Sequence, residues 1–151
     1  MVGAPPSDEL SNLAASIPQP GKVRFLQGLT TEQINASYSS ARVLLFPSLE
    51  EGFGWPIVEA MASGCPVITT NIAPMTEIAS KTTRLIPRMP SNIAERQAWA
   101  KAAAGILAEM VGLNGSDREN VVREGISNAR RFGADTAIDD YEKIYLRVMQ
   151  N

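Results

Sequence analysis

With 151 residues, 44% of them hydrophobic and 20% charged, the chain has the composition of one ordinary soluble globular domain, too short for two cores. Fourteen basic against sixteen acidic side chains give a net charge of −2 with no basic run, which argues against nucleic acid or an anionic membrane as partner. One cysteine, Cys65, and no histidine exclude an internal disulfide, a Cys/His zinc site, a His-assisted nucleophile and a histidine base within the chain.

No apolar stretch approaches the roughly 20 residues of a membrane span. The opening MVGAPPSDEL has neither the positive head nor the apolar run of a secretory signal. A cytoplasmic location is therefore the expectation.

In chain order, Met1-Val2-Gly3 before Ala4-Pro5-Pro6 reads as the tail of a strand entering a turn. Ser7 is placed to cap a short helix over 8–15 with Leu10, Leu13 and Ala14 as its apolar positions, and Pro18-Gln19-Pro20-Gly21 breaks it. Residues 22–27, KVRFLQ, alternate Val23 and Phe25 against Arg24, a strand pattern. Gly28-Leu29 turns the chain, and Thr30 with Gln33 spells a capping box for a helix through Ser40. A buried strand over 43–46 then leads into a polar, glycine-rich turn, a helix opening at Pro56, and a second strand over 66–69. The loop Asn71-Ile72-Ala73-Pro74, a short helix over 75–80 and a short strand over 83–86 follow.

After Pro90 the pattern is helical only. A helix from Ser91 or Asn92 sets Trp99, Ala102, Ala103, Ile106, Leu107 and Met110 on one face, and 112–115 ends it. Ser116 with Glu119 spells a second capping box, for a helix with Val121, Val122, Ile126 and Ala129 along one side, ended by Phe132-Gly133. The last helix, from about Asp135, carries Ile138, Tyr141, Ile144, Tyr145 and Val148. Strand and helix alternating over 90 residues predict an α/β fold, a Rossmann-like parallel sheet flanked by helices, with a helical C-terminal tail. Such sheets take ligands at the carboxyl ends of their strands, so the loops 28–30, 48–55 and 70–76 are expected on one edge.

The 48–55 turn carries the chemistry. Glu50 and Glu51 precede Gly52-Phe53-Gly54, and Glu59 lies on the helix that follows. Helical side chains tilt toward the N-terminus, so the Glu59 carboxylate reaches back toward the helix mouth. The mouth offers unpaired N–H groups and partial positive charge, an anion site, and the glycines allow close approach to the backbone. Amides for an anion beside two carboxylates for hydroxyls suit a phosphorylated sugar or a nucleotide sugar. Pro56 has no N–H, so a phosphate would be held from Gly54, Trp55 or Ile57. The plainer readings are that Glu59 only stabilises the helix dipole, worth about 0.3–1 kcal/mol, and that the glycines only serve the turn. Phe53 and Trp55 read as packing residues, Cys65 and Trp99 as core, and Glu50 as solvated.

Pro47-Ser48, Glu51-Gly52-Phe53-Gly54, Glu59-Ala60, Ala62, Gly64 and Pro66-Val67 together resemble the signature of family 4 (group 1) glycosyltransferases, retaining enzymes of the GT-B fold. Glu51 and Glu59 stand as the family's paired acids, and Val23-Arg24-Phe25-Leu26 with Gly28, and Tyr141 with Tyr145, fall in its order. The resemblance implies that the chain is a single domain, the incomplete C-terminal half that binds a nucleotide diphosphate sugar. Glu51, the catalytic candidate, would contact the donor sugar's hydroxyls near the reacting centre, and Glu59 would hold the ribose diol. The backbone of Gly52, Phe53, Gly54 and Trp55 would hold sugar and diphosphate, and Gly28-Leu29 would border the base. No cofactor or metal is implied. The family's first donor-half strand, its basic Arg/Lys pair and its acceptor half have no counterpart here, so the acceptor half is expected in cis or in trans, bringing with it any peripheral membrane association. Two further readings stand beside this one. A non-catalytic binding module could pair with a separate chain, or dimerise through an uncovered sheet edge. A dinucleotide oxidoreductase lacks its G-x-G-x-x-G after a strand.

Overall fold

The structure, a computed structural model, describes residues 1–149. It divides into two compact units, Met1–Ile34 and Asn35–Asn151. In the first, Ser7 caps helix α1 (Asp8–Ala15), its side chain accepting from the Leu10 N–H at 3.2 Å, as the sequence predicts. The 22–27 pattern does not become a strand. A parallel bridge joins Val2 to Leu26, with the Leu26 N–H donating to the Met1 carbonyl at 2.8 Å and the Gly3 N–H to the Leu26 carbonyl at 3.1 Å. The alternation is visible in burial, with Val23 and Phe25 half-buried and Arg24 exposed. Three residues ahead of Ala4-Pro5-Pro6 offer too little backbone for a ladder, and proline brings no donor. Thr30 and Gln33 form the predicted box in both directions, at 2.9 and 3.3 Å. It opens α2 (Thr31–Ser40), a helix that runs across the boundary of the two units.

The second unit is built on three parallel strands, β1 (Leu44–Phe46), β2 (Val67–Thr70) and β3 (Arg84–Ile86), in the order β1-β2-β3. Leu44 pairs with Val67 and Ile68 with Arg84. Every residue of β2 is buried, whereas Leu45 on β1 is 40% exposed. Because strand side chains alternate, β2 feeds a buried cluster on each face of the one sheet. Val67 joins Ile57, Met61, Met75 and Ile78 on one face, from α3 (Trp55–Ala62) and α4 (Met75–Ile78). Ile68 joins Ile86 and Met110 on the other, with Met110 supplied by α5 (Ile93–Gly112). Trp99 packs there, its indole N–H donating to the Pro87 carbonyl at 2.7 Å. The architecture is α/β with helices on both faces of a parallel sheet.

Helix α3 stops where the sequence places its glycine. Gly64 has φ 74°, and the N–H groups of Gly64 and Cys65 return to the carbonyls of Met61 and Ala60 at 3.1 and 2.8 Å. This left-handed closure satisfies the last turn. The second capping box does not form. Helix α6 (Gly115–Ala129) starts one residue before Ser116, with Asn114 as N-cap. Arg42 donates to the carbonyls of Val111 and Leu113, both at 2.8 Å, and Arg118 donates to that of Arg42 at 2.9 Å. These tertiary bonds fix the α5–α6 turn upstream of the box. A short 3₁₀ turn, Arg130–Phe132, leads into α7 (Ala134–Met149). The predicted periodicity of α7 is present, but Ile138, Tyr141, Ile144, Tyr145 and Val148 are 54 to 69% exposed. Among the described residues no helix is long and apolar enough to cross a membrane.

Candidate functional site

Strands β1 and β2 run parallel, so the turns leaving them emerge at the same carboxyl edge of the sheet, where open parallel sheets bind ligands. The third predicted loop lies in the other unit, where Gly28 has φ 63° and is exposed and Leu29 is half-buried.

The exit of β1 is fixed by the Thr69 hydroxyl, which donates to the Phe46 carbonyl at 2.9 Å, and the Ser48 hydroxyl donates to the Glu50 carbonyl at 3.1 Å. The Phe53 ring packs against the core, 4.7 Å from the Trp55 ring and 5.6 Å from that of Phe132. Phe53 is thus the packing residue the sequence suggests, whereas Trp55 is 55% exposed at the mouth of α3. Gly52 is exposed with open space around it. Gly54 is buried, with φ 100°, and a Cβ there would lie 2.9 Å from Ile78 Cδ1.

Helix α3 begins at Trp55, one residue earlier than predicted, and no side chain caps it. Glu59 is therefore its fifth residue, and the first turn holds no acid. Dipole stabilisation fades beyond the first turn, so it accounts poorly for this carboxylate. Ile57 leaves the set of phosphate donors. Its N–H already donates to the Gly54 carbonyl at 3.0 Å, and its side chain is fully buried. The donors that the mouth can offer come down to the amides of Gly54 and Trp55.

Glu51 is half-buried in the turn. Glu59 is exposed, and its Oε2 accepts from the Tyr38 hydroxyl at 3.3 Å. Burial first, and then the Glu59 charge, push the Tyr38 phenol up to about 12. Glu50 stands in solvent with the Arg88 guanidinium 3.6 Å away, an exposed pair worth about 0–1 kcal/mol. Cys65 is buried, and that burial raises its thiol above the ordinary value, which fits a core residue. A cavity of about 590 Å³ lies at the exit of β3, lined by Leu49, Arg88, Met89, Pro90, Ser91 and Arg96. A second, of about 300 Å³, precedes β3 and is lined by residues such as Lys81, Arg84 and Asp117. Leu49 brings the first of these to the 48–55 turn, and neither is lined by Glu51 or Glu59. Among the described residues no cluster of three or more His, Cys, Asp or Glu side chains could hold a metal.

Sequence reasoning missed Tyr38 and Arg88, which meet the site's acids only through the fold. The one signal for Tyr38 was an aromatic ring in a helix of small polar residues, TEQINASYSS.

Residues 1–108 match the profile of a family described as glycosyl transferases group 1. Over 58 residues the chain is 40% identical to the O-antigen chain mannosyltransferase B of Escherichia coli, covering 38% of this chain and 15% of that protein. Over 143 residues it is 28% identical to the D-inositol 3-phosphate glycosyltransferase of Corynebacterium aurimucosum, covering 94% of this chain and 32% of that protein. A chain in the crystal structure of the GtfA/B complex shares the fold, with a TM-score of 0.69 at 22% identity over 96% of this chain and 29% of that one. The chain thus spans between 15 and 32% of the length of these relatives.

Proposed function

The chain belongs to the group 1 glycosyl transferases, and on that premise we propose that it is the donor-binding part of a retaining, family 4 hexosyltransferase of the GT-B type. The observation that carries the reading is the mouth of α3. An uncapped helix start stands there behind a glycine at φ 100°, with Glu51 before it and Glu59 beyond it. The amides of Gly54 and Trp55 and the helix end favour the charge of a diphosphate. Glu59 accepts from the ribose diol, and Glu51 accepts from the donor sugar's hydroxyls beside the reacting carbon. Gly52 lets the sugar approach the backbone, and Phe53 serves through its main chain.

In this reading the acceptor hydroxyl attacks the anomeric carbon from the face that the diphosphate leaves. The carbon–oxygen bond to phosphate breaks as the new bond forms, and the acceptor's proton passes to the departing phosphate oxygen. Departure needs positive electrostatic stabilisation. The helix mouth supplies part of it, and a basic pair outside this chain the rest, together with the acceptor half, in cis or in trans. The chain by itself then binds donor weakly and does not turn over.

Titrating the chain with UDP and GDP sugars while following amide shifts tests the proposal. Shifts are expected at 52–59 with dissociation constants from high micromolar to millimolar, about −4 to −6 kcal/mol, and Glu59→Ala weakens them further. Absence of shifts there with every donor sinks it. The alternative of a non-catalytic module that pairs with a separate chain, or with a second copy, draws on the place of β1 at the edge of the sheet, with β2 as its one strand neighbour there. Sedimentation that finds a strict monomer counts against self-pairing.

A further inference from the structure

Glu59 sits on the outer side of α3 between two buried neighbours, Val58 and Ala60, and its side chain projects into solvent. A glutamate in that setting ordinarily samples several rotamers, a poor way to receive a diol. Here one partner restrains it. Tyr38, on α2, packs its ring against the cluster that contains Ile57, Val58, Ala60 and Met61, and its hydroxyl donates to Glu59 Oε2 at 3.3 Å. Among the described residues no cation pairs with Glu59.

We infer that Tyr38 is a positioning residue for Glu59, anchoring Oε2 from the rigid core so that Oε1 is presented to the vicinal hydroxyls of a nucleotide's ribose. The inference rests on the donor-binding reading above. A carboxylate has about four acceptor sites, and a single phenol proton occupies one of them, leaving both lone pairs of Oε1 for the diol. A phenol suits this task better than a lysine or arginine. It fixes the carboxylate without neutralising its charge, so the oxygen facing the ligand stays a strong acceptor. The phenol, pushed up to about 12, keeps its proton throughout the neutral range. Substitution by phenylalanine removes the hydroxyl and leaves the ring that packs.

The test compares UDP and GDP with their 2′-deoxy counterparts, binding each to the full chain, to Tyr38→Phe, to Glu59→Gln and to the double variant. The wild type is expected to bind the ribose form about tenfold more tightly than the deoxy form, the scale of one hydrogen bond to a charged group. Tyr38→Phe should lower that preference at least threefold while leaving deoxy affinity and the melting temperature nearly unchanged, and it should add nothing in the Glu59→Gln background. A merely structural tyrosine would weaken ribose and deoxy ligands alike, or lower the melting temperature with the preference intact. Either result overturns the positioning role and leaves donor binding standing. A wild type that binds neither diphosphate overturns the donor reading itself, and this inference with it.

Discussion

An alanine at position 54 would have to hold φ at 100° and bring its methyl to 2.9 Å of Ile78 Cδ1. The left-handed backbone disfavours a side chain by about 1–2 kcal/mol, and the overlap with a buried isoleucine adds about 1–3 kcal/mol. Gly54→Ala is therefore expected to lose about 2–5 kcal/mol in urea unfolding, whereas Gly52→Ala, in open space, stays within about 0.5 kcal/mol. The two glycines look alike in the sequence, and only one is required by the backbone. Glu51, Gly54 and Glu59 could be proposed from the sequence because a local spacing carries them. Tyr38 was not, because its partner lies 21 residues away and no local rule joins a helix's eighth residue to the next helix's outer side. Ile57 drops out for a related reason, since α3 begins one residue earlier, at Trp55, and the Ile57 N–H is taken up by the Gly54 carbonyl.

Two stretches spell the same capping box, and the fold uses one. At Thr30 the side chain and main chain of Gln33 are both engaged, so Thr30→Ala is expected to lower stability by about 1 kcal/mol. Ser116 and Glu119 are exposed and lie inside α6 rather than at its cap, so Ser116→Ala should change urea unfolding by less than about 0.5 kcal/mol. Equal losses from the two would contradict the assignment. The difference originates in Arg42 and Arg118, whose guanidinium groups bind carbonyls across the fold and set where the helix begins. A capping motif states what a helix start can use, and tertiary bonds decide whether it is reached. The 22–27 segment makes the same point for strands. Its alternation survives in the burial of Val23 and Phe25, yet a ladder needs a partner backbone and Val2 alone provides it.

At the scale of the whole molecule, alternation of strand and helix was enough to give the α/β class, because parallel strands need crossovers long enough to hold helices. It could not tell which apolar faces find cover. The stripe of α7 is as regular in sequence as that of α5, but α5 delivers Met110 to the core while α7 leaves its tyrosines in solvent. Periodicity reports that a face is apolar, not what it meets. The position of β2 carries a consequence in time rather than in energy. Its four residues are buried, and Ile68 and Thr69 are paired on both sides, while β1 and β3 are the edge strands of the sheet. Its amide protons can therefore meet solvent deuterium only when the second unit opens as a whole. They should be the slowest to exchange in that unit, retaining signal for hours after those of Leu45 and Leu85 have gone. Exchange of β2 as fast as that of its neighbours would mean the sheet opens strand by strand.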